Sequence, residues 1–448
     1  MTDRSRESGS ERAAPAEPGR APIEERLARA GLPPLRRTAW IEVDLDALTG
    51  NVQAIRRLAG GAPLMPVVKA DAYGHGMVPI ARALDDLDSG AGLCVATLDE
   101  AVVLDESGIH APLRVMYPIP TADAREAAER GIAVASGDQG ALREVLRAAG
   151  PSVGSLTIEL EIETGLGRGG VPPEDAVDVA RMVLAAGARL GGVWSHLQES
   201  EIAEITTAQV ERFELALRLL DAVGVRPLLR HLDASAALLL GAAPVYDAVR
   251  PGLITYGILP DELAGYRPED GLRPEAGELR PILSLHARPV RVTDLPEGHG
   301  VSYGPTWRAP RPSRIATLPI GYGDGWSRAL SNRAEVLVRG RRVPLVGNVA
   351  MDAVMADVTD VPGPPVTSAD EFVFIGSQGG AEISAGEVAR WRTTNSWEVV
   401  TAMSPRLTRV YHAAAGPTGS RPLAQLEYPW PGSSSGTATS ATSRSTRS

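Results

Sequence analysis

The sequence predicts an α/β protein in which a (β/α)8 TIM barrel is followed by a mostly β C-terminal domain. Between about residues 37 and 273, short apolar runs alternate with amphipathic segments, as strands and helices alternate in a parallel α/β fold. After residue 282, Val-rich stretches are separated by Gly, Pro and Asp turns and show little helical periodicity. The length of 448 residues exceeds one ordinary domain and fits one large domain with a smaller one.

The first part of the chain contains apolar runs of strand length. These predicted strands are 64–69, 92–96, 113–117, 132–136, 156–162, 192–196 and 228–232. The amphipathic segments between them end at glycines, as residues 172–186 do before Gly187 and residues 206–223 before Gly224. So many repeated units favour a closed eight-stranded barrel, and an open parallel sheet stays the alternative.

The second part is predicted to hold strands at 287–292, 335–338 and 371–375. Residues 2–21 are rich in Arg, Glu, Ser and Ala, residues 432–448 are nearly all Ser, Thr, Gly and Ala, and both compositions indicate disorder. The expected division is a disordered tail and lead-in at 1–36, the barrel at 37–273, the β domain at 274–430 and a disordered tail at 431–448.

Composition excludes several classes of function. The formal charge of -10, without a clustered basic patch, disfavours a nucleic-acid partner, because phosphate neutralisation needs a concentrated positive face. No apolar run approaches the roughly 20 residues of a membrane span. The single cysteine, Cys94, suits a reducing compartment, and the charged N-terminus lacks the apolar stretch of a secretory signal. We therefore expect a cytoplasmic protein with no membrane partner, and we predict no metal site.

The most informative segment is residues 67–76 (VVKADAYGHG), an apolar strand that ends at Lys69 and breaks into a turn. A lysine there would lie at the C-terminal mouth of a barrel, where catalytic groups collect. Desolvation would lower its pKa and free an amine able to form a Schiff base with an aldehyde cofactor. The alternative is a lysine that extends from a strand end into solvent.

This segment resembles the lysine motif of the alanine racemases, pyridoxal-phosphate enzymes of fold type III. The resemblance continues in family order through residues 39–52 (AWIEVDLDALTGNV), 163–168 (ETGLGR), 192–196, 231–235, 250–257 (RPGLITYG), 301–304 (VSYG), 319–326 (PIGYGDGW), 347–352 (GNVAMD) and 395–400. The family fold is a barrel followed by a β domain, which agrees with the independent prediction above.

The resemblance implies two bases on opposite faces of pyridoxal 5'-phosphate. Lys69 would hold the cofactor as an internal aldimine and act as the base on one face. Tyr303 would act on the other face and would come from the second subunit of a head-to-tail homodimer. A phenol is a weak base at neutral pH, so a neighbour must draw off its proton, and His196 is the matching partner. The alternative for Tyr303 is a tyrosine that stacks at a hairpin turn.

The resemblance also implies the remaining cofactor contacts. Arg250 would face the pyridine nitrogen and, because arginine stays protonated, would leave that nitrogen unprotonated and the cofactor a weaker electron sink. The alternative is a surface arginine in a Pro-Gly turn. The other cofactor-binding positions are Tyr73, Ser235, Gly252, Leu253 and Tyr256. Hydroxyls and backbone N–H groups at such positions can hold a phosphate without a lysine cluster.

For the substrate, the resemblance implies that Arg168 contacts its carboxylate and the phenolic oxygen of the cofactor. Met351 and Tyr322 of the neighbouring subunit would border the pocket, although a methionine in this setting could be plain packing. Supporting roles are assigned to His231 and Asp352. The short glycine pattern before Arg168 lacks the rest of a nucleotide-binding fingerprint.

Four departures from the family pattern bear on the substrate. Glu161 stands where many members have a carbamylated lysine, so a carboxylate would replace the carbamate as the negative partner of Arg168. Alternatively, Glu161 points to water. Ala234 removes a polar contact beside Ser235, and Pro405 lies where a tyrosine often narrows the pocket. Residues 197–200 (LQES) also differ from the usual pattern.

We therefore expect an isomerase that interconverts L- and D-alanine by a two-base mechanism. An alternative is a racemase for another or a broader set of amino acids, such as serine, in secondary metabolism. A third hypothesis is a protein that binds the cofactor without racemising anything, but small relatives of that kind lack the β domain that carries Tyr303.

Overall fold

The structure is a computed structural model that describes residues 20–87 and 90–422. Nearly all of the two tails that composition predicts to be disordered falls outside these ranges. The helices are α1 (Ile23–Arg29), α2 (Leu45–Leu58), α3 (Lys69–Tyr73), α4 (Met77–Asp86), α5 (Leu98–Glu106), α6 (Ala124–Glu129), α7 (Gln139–Ala149), α8 (Ala176–Ala185), α9 (Ala203–Ala222), α10 (Ser235–Leu240), α11 (Ala385–Arg392) and α12 (Ser396–Thr401).

The strands fall into one parallel and one largely antiparallel group. They are β1 (Ala39–Asp44), β2 (Leu93–Val95), β3 (Leu113–Val115), β4 (Ala133–Ser136), β5 (Thr157–Glu161), β6 (Arg189–Trp194), β7 (Leu229–His231), β8 (Leu283–Ala287), β9 (Arg291–Leu295), β10 (Gly300–Val301), β11 (Trp307–Arg308), β12 (Ser313–Leu318), β13 (Glu335–Val338), β14 (Arg341–Val346), β15 (Val354–Asp357), β16 (Phe372–Gln378), β17 (Ala381–Ile383), β18 (Thr408–Ala413) and β19 (Gly416–Arg421). Short 3-10 helices cover Thr121–Asp123, Gly150–Ser155, Pro173–Asp175, Leu253–Tyr256, Asp261–Leu263, Pro268–Asp270, Pro274–Glu278, Tyr322–Asp324 and Arg328–Leu330.

The parallel sheet contains six strands in the order β2-β3-β4-β5-β6-β7. Its strands match six of the predicted runs and are shorter at most ends, while β6 begins three residues earlier than predicted. Two extended segments lie between its outer strands: His231 bridges to Ala248, and Leu64 bridges to both Val249 and Gly90. The sheet is therefore curled, with its two edge strands linked through residues 64–68 and 247–250.

The first predicted strand, residues 64–69, differs from the prediction. It makes isolated bridges at Leu64 and Val67 and is not a continuous strand. Pro63 and Pro66 have no N–H to give to a ladder, which explains the interruptions. Lys69, predicted as the last strand residue, instead begins α3.

The helices cover the outside of this sheet and end where glycine was predicted to end them. The segment 172–186 begins as a 3-10 turn at Pro173–Asp175 and continues as α8, and Gly187 after it has a φ of +84°. The segment 206–223 corresponds to α9, which begins three residues earlier, and Gly224 has a φ of +74°. A left-handed residue of this kind ends a helix at least cost when it is glycine.

The C-terminal part forms an eleven-stranded sheet in the order β19-β18-β1-β8-β16-β13-β14-β15-β12-β9, with β17 paired to β16. The sequence placed residues 39–44 in the barrel, and this placement is wrong: β1 pairs with β8 and β18. Apolar residues on both faces of β1 are buried, as a strand inside a covered sheet requires. The lead-in before it contains α1, whose Ile23 and Leu27 pack on Trp40.

Two of the three strands predicted in the C-terminal part are confirmed. Residues 335–338 match β13, and residues 371–375 lie almost wholly within β16. Residues 287–292 span the end of β8 and the start of β9, because Pro289 lies in the turn between them and has no N–H for pairing. Across residues 20–87 and 90–422, no helix combines the length and the apolarity that crossing a membrane requires.

Candidate active site

Lys69 is followed by a left-handed turn. Ala70, Asp71 and Ala72 have φ values of +53°, +55° and +53°, and Tyr73 has +52°. Each such residue costs roughly 1–2 kcal/mol relative to right-handed backbone. The surrounding structure must therefore hold the turn in place, and it does so through contacts from both parts of the chain.

These contacts are hydrogen bonds to the turn. The Ala70 N–H donates to Glu100 Oε1 at 2.6 Å, and the Met77 N–H donates to Asp71 Oδ1 at 2.8 Å. From the C-terminal sheet, Arg409 donates to the Gly74 carbonyl at 2.9 Å. Tyr411 Oη donates to the His75 carbonyl at 3.1 Å. Strand β18 thus fixes the backbone that follows Lys69.

The Lys69 amine is half-buried at the carboxyl-terminal end of the parallel sheet. Burial and the nearby Arg168 guanidinium lower its pKa, against a smaller opposing effect of Glu100. Lys69 Nζ lies 5.9 Å from the centre of the Tyr117 ring, and Arg168 Cζ lies 5.5 Å from the same ring. Sequence reasoning missed Tyr117, although it ends the predicted strand 113–117 on the side where Lys69 ends its own segment.

Glu161 is buried and reaches Arg168. The distance from Glu161 Oε1 to Arg168 Nη2 is 3.5 Å, and the exposed fractions of the two side chains are 9% and 37%. Burial raises the pKa of Glu161, and Arg168 opposes that rise. The alternative in which Glu161 points to water does not agree with this burial.

Arg250 lies beneath the same end of the sheet and is buried. Its Nη1 donates to His231 Nδ1 at 2.5 Å, and its Nη2 donates to the Ser195 carbonyl at 2.6 Å and the Leu232 carbonyl at 3.0 Å. These bonds use three of the five N–H groups of a guanidinium. Its Cζ lies 5.0 Å from the centre of the Trp194 ring. Burial lowers the Arg250 pKa to about 10, so the group is still charged at neutral pH. The surface-arginine alternative is therefore wrong.

His196 follows β6 and is half-buried among three cations. Burial, and then the charges of Arg250, Arg168 and Lys69, lower its pKa to about 3. The imidazole is therefore neutral at physiological pH and keeps one nitrogen able to accept a hydrogen bond. His196 brings Lys69, Arg168 and Arg250 into one neighbourhood, as the resemblance implies.

A small polar cradle lies beside these residues. The Gly252 N–H donates to Ser235 Oγ at 3.0 Å. A Cβ at Gly252 would lie 2.9 Å from Tyr73 Oη and 3.8 Å from Ser235 Oγ. Leu253 begins the 3-10 helix Leu253–Tyr256 at the same place. Two hydroxyls and the first N–H groups of a helical turn therefore converge on space that only a glycine leaves open, and such a donor set suits a phosphate.

Tyr256 has a different position from the other predicted cofactor ligands. Its hydroxyl donates to the Val67 carbonyl at 2.7 Å, and the side chain is fully buried. Its ring centre lies 5.0 Å from that of Tyr73 and 4.5 Å from that of His75. Tyr256 thus packs behind Tyr73 and joins it to the segment that precedes Lys69.

The residues that the resemblance assigns to a second subunit are exposed on the C-terminal part. The exposed fractions are 76% for Tyr303, 43% for Tyr322 and 52% for Met351. Asn348 Nδ2 donates to the Tyr303 carbonyl at 2.7 Å, and the Gly323 N–H donates to the Met351 carbonyl at 2.9 Å. Tyr303 thus lies on a loop between β10 and β11 that is tied to the segment carrying Met351.

Asp352 and Pro405 lie near the segments that carry Met351 and Tyr322. Arg406 Nη2 donates to Asp352 Oδ1 at 2.5 Å. Pro405 is in an exposed turn, where the Ser404 N–H donates to the Asp324 carbonyl at 3.0 Å. This turn therefore lies against the end of the 3-10 helix that carries Tyr322.

Asp233, which precedes Ala234 in the chain, has an unusual environment. Both carboxylate oxygens of Asp233 are buried without a hydrogen-bond partner among the described residues. Burial raises its pKa to about 7, against opposing effects of Arg250 and Arg273. The sequence showed an acidic residue beside Ala234, but its burial follows from the position of β7 and α10.

Two further polar residues were missed by sequence reasoning. Glu159 accepts a hydrogen bond from His231 and another from Arg114, and all three side chains are buried. The available signal was a charged residue within each of the apolar strands β3 and β5. Buried charges of this kind are paired as a rule.

Comparisons with known proteins agree on one family. The family model described as the N-terminal domain of alanine racemase matches residues 43–260, and the model of the C-terminal domain matches residues 282–411. An alanine racemase of Symbiobacterium thermophilum is 40% identical over 380 residues, which are 84% of this chain and 97% of the relative.

Solved structures give the same result. The alanine racemase from Bacillus anthracis with bound L-Ala-P has a TM-score of 0.78 at 34% identity, over 87% of this chain and 98% of that one. The alanine racemase of a D-cycloserine-producing Streptomyces lavendulae has a TM-score of 0.76 at 35% identity, over 84% of this chain and 98% of that one.

Proposed function

The chain belongs to the alanine racemase family, and on that premise we propose that it interconverts L- and D-alanine with pyridoxal 5'-phosphate as cofactor. The observation that carries the proposal is that Lys69 and Arg168 lie against one ring, with Lys69 Nζ 5.9 Å and Arg168 Cζ 5.5 Å from the centre of Tyr117, near the neutral His196 and the buried Arg250. A lysine with a lowered pKa beside two arginines can hold a carbonyl cofactor and an anionic substrate together.

The cofactor-binding residues are argued from the cradle. The hydroxyls of Tyr73 and Ser235 and the N–H of Leu253 fit the phosphate, while Gly252 leaves the space for it and holds Ser235 Oγ through its own N–H. The two remaining N–H groups of Arg250 are available to the pyridine nitrogen. When bound, pyridoxal phosphate supplies a conjugated system that stabilises negative charge at the substrate Cα. Arg250 can donate a hydrogen bond but holds its own protons, so it limits how much charge passes into the ring.

Proton transfer is divided between two side chains. Lys69 would hold the cofactor covalently through Nζ and would exchange the α-proton at that atom on one face, helped by a pKa that burial lowers. Tyr303 of a second copy of the chain exchanges the proton at Oη on the other face. His196 is neutral and can therefore accept a hydrogen bond from that phenol. The high exposure of Tyr303 supports a homodimer in which each site is completed by the other subunit.

Arg168 would bind the substrate carboxylate, with Glu161 as its negative partner. The Glu161–Arg168 contact of 3.5 Å is longer than a close charge-assisted hydrogen bond, which leaves the guanidinium free to adjust. The second candidate function, a racemase that also accepts serine or larger amino acids, is favoured by Pro405, because the exposed turn that holds it lies against the 3-10 helix of Tyr322 and has no tyrosine to narrow the pocket. Met351 and Tyr322 of the second copy would border the pocket and set its size.

We also infer that the parallel sheet closes as an eight-stranded barrel. The support is the set of bridges that join β7 and β2 through residues 247–250 and 64–68. We place the domain division near residue 273, with residues 39–44 joined to the second domain. The cytoplasmic location stays a prediction from the sequence.

The test is a racemisation assay of the purified protein with pyridoxal phosphate. L- and D-forms of alanine, serine, lysine and arginine are incubated separately, and the products are resolved by chiral separation. We expect alanine to reach the same L/D ratio from both directions, with serine turnover deciding the range of substrates. Inactivity toward every amino acid of the panel, with the cofactor bound, would remove the proposal.

A further inference from the structure

We propose that Glu159 is a positioning residue that fixes the tautomer of His231 and, through it, the orientation of the Arg250 guanidinium. The residues form a buried line across the parallel sheet, from Arg114 on β3 through Glu159 on β5 and His231 on β7 to Arg250. The effect on catalysis rests on the function proposed above, whereas the effect on His231 is a property of the protein alone.

The hydrogen bonds determine which group donates and which accepts at each step along the line. A guanidinium only donates, so at 2.5 Å from Arg250 Nη1 the His231 Nδ1 must be the acceptor. The proton of the neutral ring then lies on Nε2, which donates to Glu159 Oε2 at 3.1 Å. Glu159 Oε1 accepts from Arg114 Nε at 3.0 Å, and Arg114 Nη1 also donates to the Ala91 carbonyl. Both carboxylate oxygens are thus occupied.

The line is shielded from water. The exposed fractions are 9% for Arg114, 1% for Glu159, 0% for His231 and 4% for Arg250. With no solvent to replace a lost partner, each group depends on its neighbour in the line. The Trp194 ring lies parallel to the His231 ring, with 6.1 Å between the ring centres, and its own centre lies 5.0 Å from Arg250 Cζ, so one indole packs against both the imidazole and the guanidinium.

The backbone leaves room for this carboxylate. A Cβ at Gly192 would lie 1.9 Å from Glu159 Oε2 and 3.1 Å from His231 Nε2, so a side chain at that position would displace the bond. The pairing of β5 with β6 shifts register between Ile158 and Glu159. Two consecutive glycines, Gly191 and Gly192, therefore open the sheet where the Glu159 side chain enters it.

The charges are consistent with one fixed tautomer. Burial alone would raise the pKa of Glu159, but His231 and Arg114 hold it below its usual value, so the carboxylate is charged. Burial, together with Arg250 and Arg114, lowers the pKa of His231 to about 4, against the opposing effect of Glu159, so the ring is neutral. Without the carboxylate, the tautomer with a proton on Nδ1 would become accessible, and it would oppose an N–H of Arg250 with another N–H. Arg250 would then lose the acceptor of its Nη1, keep only the two carbonyl acceptors of its Nη2, and turn.

The experiment compares Glu159→Gln with the parent and with Glu42→Gln. Glu42 is a matched control, since it is a buried carboxylate that pairs with a histidine and an arginine, His412 and Arg26, in the other sheet. The primary measurement is the pair of ring-nitrogen chemical shifts of His231 in protein labelled with ¹⁵N-histidine, without added cofactor. Substitution of His231 by Gln assigns the signal among the seven histidines.

We expect the parent and Glu42→Gln to show an unprotonated Nδ1 and a protonated Nε2 at His231. Glu159→Gln should show a mixture of the two tautomers, because Arg114 and His231 donate to different oxygens of Glu159 and the amide places an NH2 donor at one of those two positions. In the holoenzyme the same variant should lower kcat about 10- to 100-fold, with the KM for alanine changed less than threefold, and should shift the visible absorbance of the cofactor. Glu159→Asp should recover part of kcat.

An unchanged His231 tautomer in Glu159→Gln would overturn the proposal, whatever the activity. A tautomer change accompanied by wild-type kcat and absorbance would refute the link to Arg250. If the protein racemises no amino acid, the function proposed above fails, while the tautomer measurement still decides the role of Glu159. If Glu159→Gln does not fold, Glu159→Asp is examined by the same shifts. Its shorter carboxylate should give a partial population of the second His231 tautomer alongside its partial loss of kcat, and a reduced kcat with a parent-like His231 spectrum would contradict the assignment.

Discussion

Arg421 and Asp71 are 350 positions apart in the chain and form a two-pronged ion pair, with 2.7 Å between Nη1 and Oδ1 and 2.5 Å between Nη2 and Oδ2. Asp71 lies in the left-handed turn that follows Lys69, and Arg421 ends β19. The last described strand of the C-terminal sheet therefore holds the backbone at the candidate catalytic lysine.

Removing this ion pair should weaken the turn. In Arg421→Ala, the four left-handed residues lose an interaction that offsets their unfavourable backbone energy, at roughly 1–2 kcal/mol per residue. We expect the Kd for pyridoxal phosphate, measured by titration of the visible absorbance, to rise about tenfold. Arg339→Ala is the control, since it removes a two-pronged pair with Asp370 elsewhere in the sheet. Equal effects of the two substitutions would contradict a specific role for Arg421.

Tyr303→Phe should separate proton transfer from binding. The exposed phenol is replaced by a ring of the same shape, so folding and cofactor absorbance should be unchanged. Loss of a general acid–base group should lower kcat roughly 10²- to 10⁴-fold in both directions. Tyr266→Phe is the control, since this tyrosine packs partly buried against the core and has no assigned part in the site. Racemisation at the parent's rate would show that Tyr303 is not the second base.

Glu161→Gln tests the negative partner of Arg168. The amide cannot balance the guanidinium charge, so Arg168 should hold the substrate carboxylate less well. We expect the KM for alanine to rise about tenfold, with a smaller change in kcat. The matched control is Glu335→Gln, which removes one carboxylate partner of Arg342 in the C-terminal sheet. An unchanged KM would indicate that Glu161 has no part in substrate binding.

Asp233→Asn should change how stability depends on pH. The folded protein raises the Asp233 pKa from 3.8 to about 7, so it retains a proton that the unfolded chain releases above about pH 4. Protonated Asp233 makes its full contribution to the free energy of unfolding below about pH 4, and this contribution is lost as the pH rises to about 7. At 1.36 kcal/mol per pKa unit, the loss is roughly 4 kcal/mol at most.

The measurement is the free energy of unfolding by urea from pH 4 to pH 8. Relative to the parent, Asp233→Asn should gain stability as the pH rises through this window and level off above it. Asp221→Asn, at an exposed position on α9, should show no such trend. Parallel curves for Asp233→Asn and the parent would mean that Asp233 is ionised in the folded state.

Gly252→Ala tests the cradle. The added methyl would lie 2.9 Å from Tyr73 Oη and would occupy the space between that hydroxyl and Ser235. We expect at least a tenfold rise in the Kd for pyridoxal phosphate and for inorganic phosphate added as a competitor. Gly277→Ala is the control, since no atom lies within 4 Å of a Cβ built there. Cofactor affinity equal to that of the control would place the phosphate elsewhere.

Much of the fold could be predicted from local pattern. The alternation of apolar and amphipathic segments located the strands of the parallel sheet, and the glycines after α8 and α9 marked helix ends. The motif around Lys69 identified the family because it occurs together with the other motifs, in family order, along nearly the whole chain. The strand bounds of short apolar runs were ambiguous where Pro63, Pro66 or Pro289 interrupts pairing. Hydrophobicity predicts that a run is buried but does not show where a backbone N–H is missing.

By itself, the sequence determined which apolar runs are buried, which glycines end helices and which family the chain matches. The tertiary structure alone decided that β1 joins the C-terminal sheet, that Glu159 faces His231, and that Arg421 reaches Asp71. The physical reason is that hydrophobic periodicity reflects residues close together in the chain. A partner across the sheet depends instead on the order of the strands and on the side chains that pack around the pair. A carboxylate in an apolar strand signals a buried partner, and only the fold shows which residue it is.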